Sequence, residues 1–194
     1  ADVTTSADIS GGVIVGGLQS LSIFGNTETP EDGAFPAKVT ISGNAVIESP
    51  NGGSDLAENA LTIFGNGAEL TVSGGTIKQE VPEFAAISGN GTAKYANTKI
   101  TISGGVITSV ELGIYHPQAG ELTITGGTIT GSTGVEMRAG TLRVSGDAQI
   151  TGTSSTYAST ANGSGATTTG VGIAIAQHTT KLDIDVAISG GTIT

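Results

Sequence analysis

The chain has 194 residues, of which 12% are charged, 4% are aromatic and 32 are glycine, and its formal net charge is −10. Its seven basic residues are spread along the chain, which argues against nucleic acid or an anionic membrane surface as a partner, because both need clustered basic side chains. The absence of cysteine excludes disulfides and cysteine-ligated zinc, and no stretch approaches the ~20 apolar residues of a membrane-spanning helix.

One short phrase recurs seven times along the chain. Each copy starts with an alternating apolar strand, continues with Ser or Thr before Gly and a small residue, and ends with a second short strand. The Ser or Thr residues of the seven copies are Ser10, Ser42, Ser73, Ser103, Thr125, Ser145 and Ser189. Because one such repeat cannot bury its own apolar face, the repetition predicts a solenoid whose repeats stack on one another.

A third strand accompanies each phrase, for example ALTIFGN from Ala60 and LGIYHPQ from Leu112. Three strands per repeat predict an all-β fold, a parallel β-helix of about seven coils, and the usual handedness of parallel crossovers predicts the right-handed form. We expect a single domain over residues 1–194. Because the chain opens and closes within repeats, we expect either a segment of a longer protein or ends that something else covers.

Three insertions lengthen the repeats, at residues 26–38, 49–60 and 152–170. The first is acidic and has two prolines, the second is rich in turn residues, and the third is a low-complexity tract of Ser, Thr and Gly. Loops carry specificity in solenoids, but the composition of the third insertion is typical of a mobile segment.

Alternation along each strand separates inner from outer side chains. Leu122 and Ile124 are predicted to point inward, whereas Thr123 and Thr125 are predicted to point outward. In the second strand of the repeat the predicted inner residues are Val46, Ile77, Ile107, Ile129, Ile150 and Ile193. Alignment of the third strands puts His116 in the place of Met137 and Ile175, an inner position near a corner, which favours a core histidine with a backbone partner over a catalytic base.

The outer face of the third strand carries the most varied chemistry. Its candidate ligand-binding residues are Phe64, Tyr115, Glu136 and Arg138. Exposed aromatic rings beside a carboxylate and a guanidinium suit sugar recognition, because the rings offer a flat apolar platform and the charged groups hydrogen-bond hydroxyls. The alternative is structural: Phe24 and Phe64 then lie under the insertion at 26–38, against Phe35 and Pro36, and the charged residues form an ordinary surface pair.

No group of residues in the sequence has the types and spacing of a catalytic site, so we expect no enzyme. The alternative is a polysaccharide lyase or hydrolase, which needs acidic groups placed at the reacting bond. Asp183 and Asp185 alternate with Ile184 and share one face, roughly 7 Å apart by the strand rise. Such a pair is a candidate calcium site if further oxygen ligands join it, and otherwise a solvated acidic face. No other cofactor is expected.

Two stretches of the chain resemble a known class of repeats. The phrases GIYHPQAGELTITGGTITGSTGVEMRAGTLRVSG (113–146) and KITISGGVIT (99–108) are similar to the Gly-rich right-handed β-helix repeats of gut Firmicutes surface proteins. They also resemble clostridial β-helical carbohydrate-binding domains and related phage fibre proteins. The motifs that carry the resemblance are structural, so they imply the fold more directly than a ligand.

The resemblance implies an extracellular or cell-surface segment that acts as a rigid spacer or adhesin. A polysaccharide or host glycan is the partner that it implies. The alternative that it leaves open is a virion component, a phage fibre or decoration protein that forms a homotrimer. Exposed solenoid ends or a flat face offer surfaces for such homo-oligomers.

Overall fold

The computed structural model describes residues 5–16, 19–25, 36–49, 59–91, 97–162 and 165–194. All regular structure in these ranges is β-strand, and most strands are parallel and stacked in sheets, as in a β-helix or solenoid. The described residues form no helix that could cross a membrane. The all-β prediction is therefore confirmed, and it follows from a sequence rich in Thr, Ile, Val and Gly.

The larger sheet has eleven strands and contains the first two strands of each repeat. Seven of them pair in sequence order: β1 (Thr5–Ile9), β4 (Ala37–Ile41), β7 (Ala68–Gln79), β9 (Thr98–Ser109), β11 (Gly120–Gly131), β13 (Gly140–Val144) and β18 (Ile184–Ile188). The other four are β2 (Val13–Val15), β5 (Val46–Ser49), β14 (Gln149–Gly152) and β19 (Thr192–Ile193). Parallel register aligns equivalent residues of successive repeats, so that the inner columns through Leu122, Ile124 and Ile129 hold only Ile, Leu and Val across β7, β9 and β11, whereas most outer columns vary.

Glycine pairs let the longest strands bend. In β7, β9 and β11 the first two strands of the repeat are continuous, and the register shifts at the Gly-Gly step. Gly105 has a φ of 84°, and a Cβ there would lie 2.8 Å from the carbonyl oxygen of Gly74. A side chain at this position would thus meet both an unfavourable φ and a backbone contact.

The smaller sheet has six strands and contains the third strand of each repeat. In chain order they are β3 (Leu21–Phe24), β6 (Leu61–Phe64), β8 (Ala85–Ser88), β10 (Leu112–His116), β12 (Thr133–Met137) and β17 (Val171–Ile175). Register pairs His116 with Met137 and Met137 with Ile175, as the sequence predicted. Tyr115 and Glu136 are likewise paired neighbours.

The core lies between the two sheets and is built from columns of Ile, Leu and Val. Ile102, Ile124 and Val144 form one such column, and each is at most 1% exposed. The half-buried Thr123 lies on the opposite face of β11, so the predicted inner and outer faces of this strand are confirmed.

The prediction that Val46 points inward is wrong by one position along the strand. Ile47, not Val46, is fully buried and pairs with Ile77, whereas Val46 pairs with Thr76 on the outer face. The turn before β5 has one more residue than the Gly-Gly turns, because Ala45 is inserted and buried there. A shift of one residue moves every side chain to the other face of a strand.

Part of the insertion at 152–170 is regular structure, which its low-complexity composition did not predict. Two antiparallel strands, β15 (Ala158–Asn162) and β16 (Gly165–Thr169), pair with each other and form a separate two-stranded sheet, which we call the ribbon. Residues 26–35 and 50–58, which make up most of the other two insertions, lie outside the described residues.

Candidate ligand-binding groove

The ribbon packs on the outer face of the six-stranded sheet through β16. The backbone N–H and the hydroxyl of Thr168 both donate to Oε2 of Glu136, at 2.7 and 2.9 Å. The hydroxyl of Thr133 donates to the carbonyl oxygen of Thr168 at 2.8 Å. These three bonds satisfy polar groups that the packing buries, which fixes the ribbon against β12.

Glu136 and Arg138 form an ion pair under this ribbon. Nε of Arg138 lies 2.5 Å from Oε1 of Glu136, and neither side chain has any solvent exposure. Nη2 of Arg138 donates to the Thr167 hydroxyl at 3.4 Å, and the guanidinium lies 5.0 Å from the centre of the Tyr115 ring. The pair thus joins the ribbon to the sheet.

The expected exposure of Glu136 and Arg138 is wrong. Alternation placed both residues correctly on the outer face, because their neighbours Val135 and Met137 belong to the core. The ribbon covers that face, so the pair is buried and does not reach solvent. Tyr115 keeps partial exposure beside them.

A groove lies between the ribbon and the turn that precedes β8. It consists of two hollows, of about 480 and 230 Å³, which share Glu83, Leu112 and Thr167. The rest of the lining described by the structure is Asn59, Phe84, Ala85, Ser88, Glu111, Tyr115, Thr160 and Thr169. We call this space the ribbon groove; ribbon threonines form one wall and Leu112 and Tyr115 lie on the sheet beneath it.

Two glutamates give the ribbon groove its charge, and sequence reasoning missed both. Glu83 is exposed and Glu111 is half-buried. Burial raises the pKa of the Glu111 carboxyl above its usual value, and the nearby carboxylates of Glu83 and then Glu136 raise it further. Glu83 lies just before β8 and Glu111 just before β10, and both strands are third strands of a repeat. Because Ala85 of β8 pairs with Leu112 of β10, aligning the two strands in the sequence could have predicted that the glutamates lie close together.

Neither groove glutamate is neutralised within the described part of the chain. No hydrogen bond or ion pair joins the carboxylate of Glu83 or Glu111 to another described residue, whereas four other acids pair with a Lys or Arg. Those pairs are Lys38–Glu69, Lys78–Glu80, Arg138–Glu136 and Arg143–Asp185. Glu83 also has a φ of 73°, in a region that non-glycine residues seldom occupy and that is enriched at functional sites.

Phe64 lies away from the ribbon groove. Its ring contacts Phe24 edge to face, with ring centres 4.5 Å apart, and Phe24 is 48% exposed. Thr62 pairs with Ser88, and Ser88 pairs with Tyr115, so Tyr115 is aligned with Thr62. Phe64 therefore lies two strands away from Tyr115 and at the next outward position along its own strand. The structure therefore does not bring Phe64 together with the other three candidates; the proposed contact with Phe35 lies outside the described residues.

Asp183 and Asp185 line a separate shallow hollow of about 330 Å³ beside Gly120 and Gly140. Oδ2 of Asp185 lies 2.5 Å from Nη2 of Arg143, so one carboxylate of the pair is engaged by a cation. In the part of the chain that the structure describes, no three His, Asp or Glu side chains converge as metal ligands would.

His116 is a core histidine with a backbone partner, as predicted. It is fully buried, and its Nδ1 lies 3.0 Å from the carbonyl oxygen of Ala139. Burial lowers the pKa of the imidazole to about 4, an effect that the backbone contact only partly offsets. The neutral ring therefore belongs to the core between the sheets and does not line the ribbon groove.

Comparisons with known protein families, with curated proteins and with solved structures find no match to this chain.

Proposed function

We propose that this chain is a non-enzymatic, extracellular or cell-surface segment that acts as a rigid spacer or adhesin and binds an oligosaccharide in the ribbon groove. The scaffold of this proposal is a right-handed parallel β-helix of about seven coils. Stacked parallel strands with columns of buried Ile, Leu and Val support a stiff body, and the ribbon adds a binding site to one side of it.

The observation that carries the proposal is the lining of the ribbon groove. It combines the partly exposed ring of Tyr115 with hydroxyls of Thr160, Thr167 and Thr169 and with carboxylates. Aromatic rings pack against the apolar faces of sugars, while hydroxyls and carboxylates hydrogen-bond sugar hydroxyls. The volume of the larger hollow, about 480 Å³, lies within the range of small-ligand sites.

A glycan array followed by calorimetry with the best ligand tests the proposal. We expect Tyr115→Ala and Thr160→Ala each to weaken binding about tenfold, which corresponds to ~1.4 kcal/mol. The matched control is Thr128→Ala, an exposed threonine on the larger sheet, which should leave binding unchanged. An array without any binding, or equal binding by all three variants with intact folds, would refute the placement of a glycan in this groove.

A hydrolase is the second candidate, and the glutamates favour it over a lyase. A carboxylic acid with a raised pKa next to an ionised carboxylate is the pair that glycosidic hydrolysis uses as proton donor and base or nucleophile. Glu111 would be the donor and Glu83 its partner. The assay is the release of reducing ends from a bound glycan. If the chain releases them and Glu111→Gln does not, the hydrolase proposal replaces the non-enzymatic one.

A further inference from the structure

We infer that the ribbon groove selects oligosaccharides that carry protonated amines, such as hexosamine units with free amino groups, over neutral and acidic ones. The inference rests on the proposed function and names the ligand class of the same groove. It follows from three features of the site: the sign of its charge, the position of the nearby arginine, and the hydroxyl-lined walls.

The charge of the ribbon groove is negative. Glu83 and Glu111 both line it, and no Lys or Arg is found among the described residues of its lining. The carboxylate of Glu83 is close enough to Glu111 to raise the pKa of the Glu111 carboxyl, because like charges repel. A cation between them would relieve this repulsion, whereas an anionic sugar would add to it.

The one arginine near the groove does not offset this charge. Arg138 is fully buried, its Nε is bonded to Glu136, and its Nη2 donates to Thr167. Its guanidinium lies over the ring of Tyr115, and Glu136 balances its charge. A sugar carboxylate or sulfate in the groove would therefore lack the fork-like partner that such groups find in arginine.

The walls distinguish a sugar amine from a bare cation. An ammonium group has three donors, and two carboxylates supply acceptors for them. Thr160, Thr167 and Thr169 lie along the same space and suit the ring hydroxyls that accompany the amine. A calcium ion would need six to eight oxygen ligands, and no third Asp, Glu or His among the described residues joins Glu83 and Glu111 in a metal-binding group.

Titration calorimetry at neutral pH and low salt, with three tetrasaccharides, tests the inference. The probes are a glucosamine tetramer, its N-acetylated form and a uronic acid tetramer. We expect the free amine to bind at least tenfold more tightly than the N-acetyl form, and the uronic acid to show no binding. Raising the salt concentration should reduce this preference, because the attraction is between charges near the surface.

Isosteric variants separate the groove from the overall charge of the chain. Glu83→Gln and Glu111→Gln should each lower the affinity for the amine about tenfold. The affinity for the N-acetyl form should fall less, because the amide oxygen of Gln still accepts hydrogen bonds from sugar hydroxyls but carries no charge for an ammonium group. The control is Glu121→Gln, which removes one charge from the exposed face of the larger sheet and should have no effect.

Each remaining outcome decides between the two proposals. Equal binding of amine and N-acetyl forms, unaffected by either groove variant, overturns the amine preference and leaves glycan binding in place. An equal loss in Glu121→Gln also overturns it, because the effect would then come from the net charge of −10. No binding of any tetramer, together with a negative array, overturns glycan binding itself.

Discussion

The buried pair of Glu136 and Arg138 should be among the most sensitive points in the fold. Replacing Arg138 with Leu leaves the carboxylate of Glu136 without its cation in a site that has no solvent exposure. Thr168 still donates two hydrogen bonds to that carboxylate, but neither donor carries a charge. The chain offers a matched control in Arg143, whose partner Asp185 is 67% exposed.

The two arginines should differ severalfold in their effect on stability. Removing one partner of a buried ion pair typically costs ~3–5 kcal/mol, whereas an exposed pair contributes ~0–1 kcal/mol. For a chain of this size, each kcal/mol shifts the Tm by roughly 2–4 °C. Arg138→Leu should therefore lower the Tm by roughly 6–20 °C, and Arg143→Leu by at most about 4 °C.

A third variant shows whether the uncompensated charge is the cause. Adding Glu136→Gln to Arg138→Leu should restore part of the lost stability, because the neutral amide oxygen still accepts the bonds from Thr168 and no charge remains buried. Thermal unfolding by circular dichroism gives the three Tm values, and hydrogen exchange at the Thr168 amide reports release of the ribbon. Equal Tm values for Arg138→Leu and Arg143→Leu would contradict the argument, as would a double variant less stable than Arg138→Leu alone.

Two further predictions concern the core. Ile124→Asp should lower the free energy of unfolding by several kcal/mol because it buries an unpaired charge, whereas Thr123→Asp should change it by ~0.5 kcal/mol or less. Thermal melts of both variants check this. A larger loss of stability in Thr123→Asp than in Ile124→Asp would mean that the inner and outer faces of β11 are reversed. Because the folded-state pKa of His116, about 4, is below its unfolded value, the unfolded chain binds the proton first as pH falls. The neutral His116 should contribute about 3 kcal/mol to the free energy of unfolding above pH ~6.5, and this contribution should be lost progressively as the pH falls to ~4. The variant His116→Met copies the paired residue Met137 and has no titrating group. Its free energy of unfolding, measured in urea, should therefore change less with pH across that window than that of the unmodified chain. An unchanged slope in that variant would exclude His116 as the source.

The repeat made the scaffold predictable, because alternation and register are local properties of a strand. The columns through Ile102, Ile124 and Val144, and the alignment of His116 with Met137, could be read from the sequence for this reason. The error at Val46 has an equally local cause, one additional residue in a turn. Small changes in turn length do not alter the repeat pattern, but they decide which residue enters the core.

The site was less predictable because it forms where the repeat is interrupted. Low-complexity composition gave no indication that residues 158–169 would pair as a ribbon, since the contacts that hold them come from Glu136 and Thr133 on another strand. Without the ribbon, both charged residues at 136 and 138 looked solvent-exposed. Their burial depends on a contact between segments about thirty residues apart, as in the bond from Thr168 to Glu136.

Strand order nevertheless contains the information that locates the ribbon. The insertion ends where β17 begins, and Val171 of β17 pairs with Thr133 of β12. Residues just before Val171 must therefore approach β12 near Thr133, and Glu136 lies only three residues farther along the same strand. Ser88, Tyr115, Glu136 and Ala174 are aligned in one outer column of the six-stranded sheet, and Glu136 is the one charged residue among these four. Arg138 adds a second charge two residues farther along the chain. In a regular solenoid, charged residues that break a column next to the end of an insertion thus indicate a surface that the insertion covers, and the groove beside that cover is the place to look for a ligand.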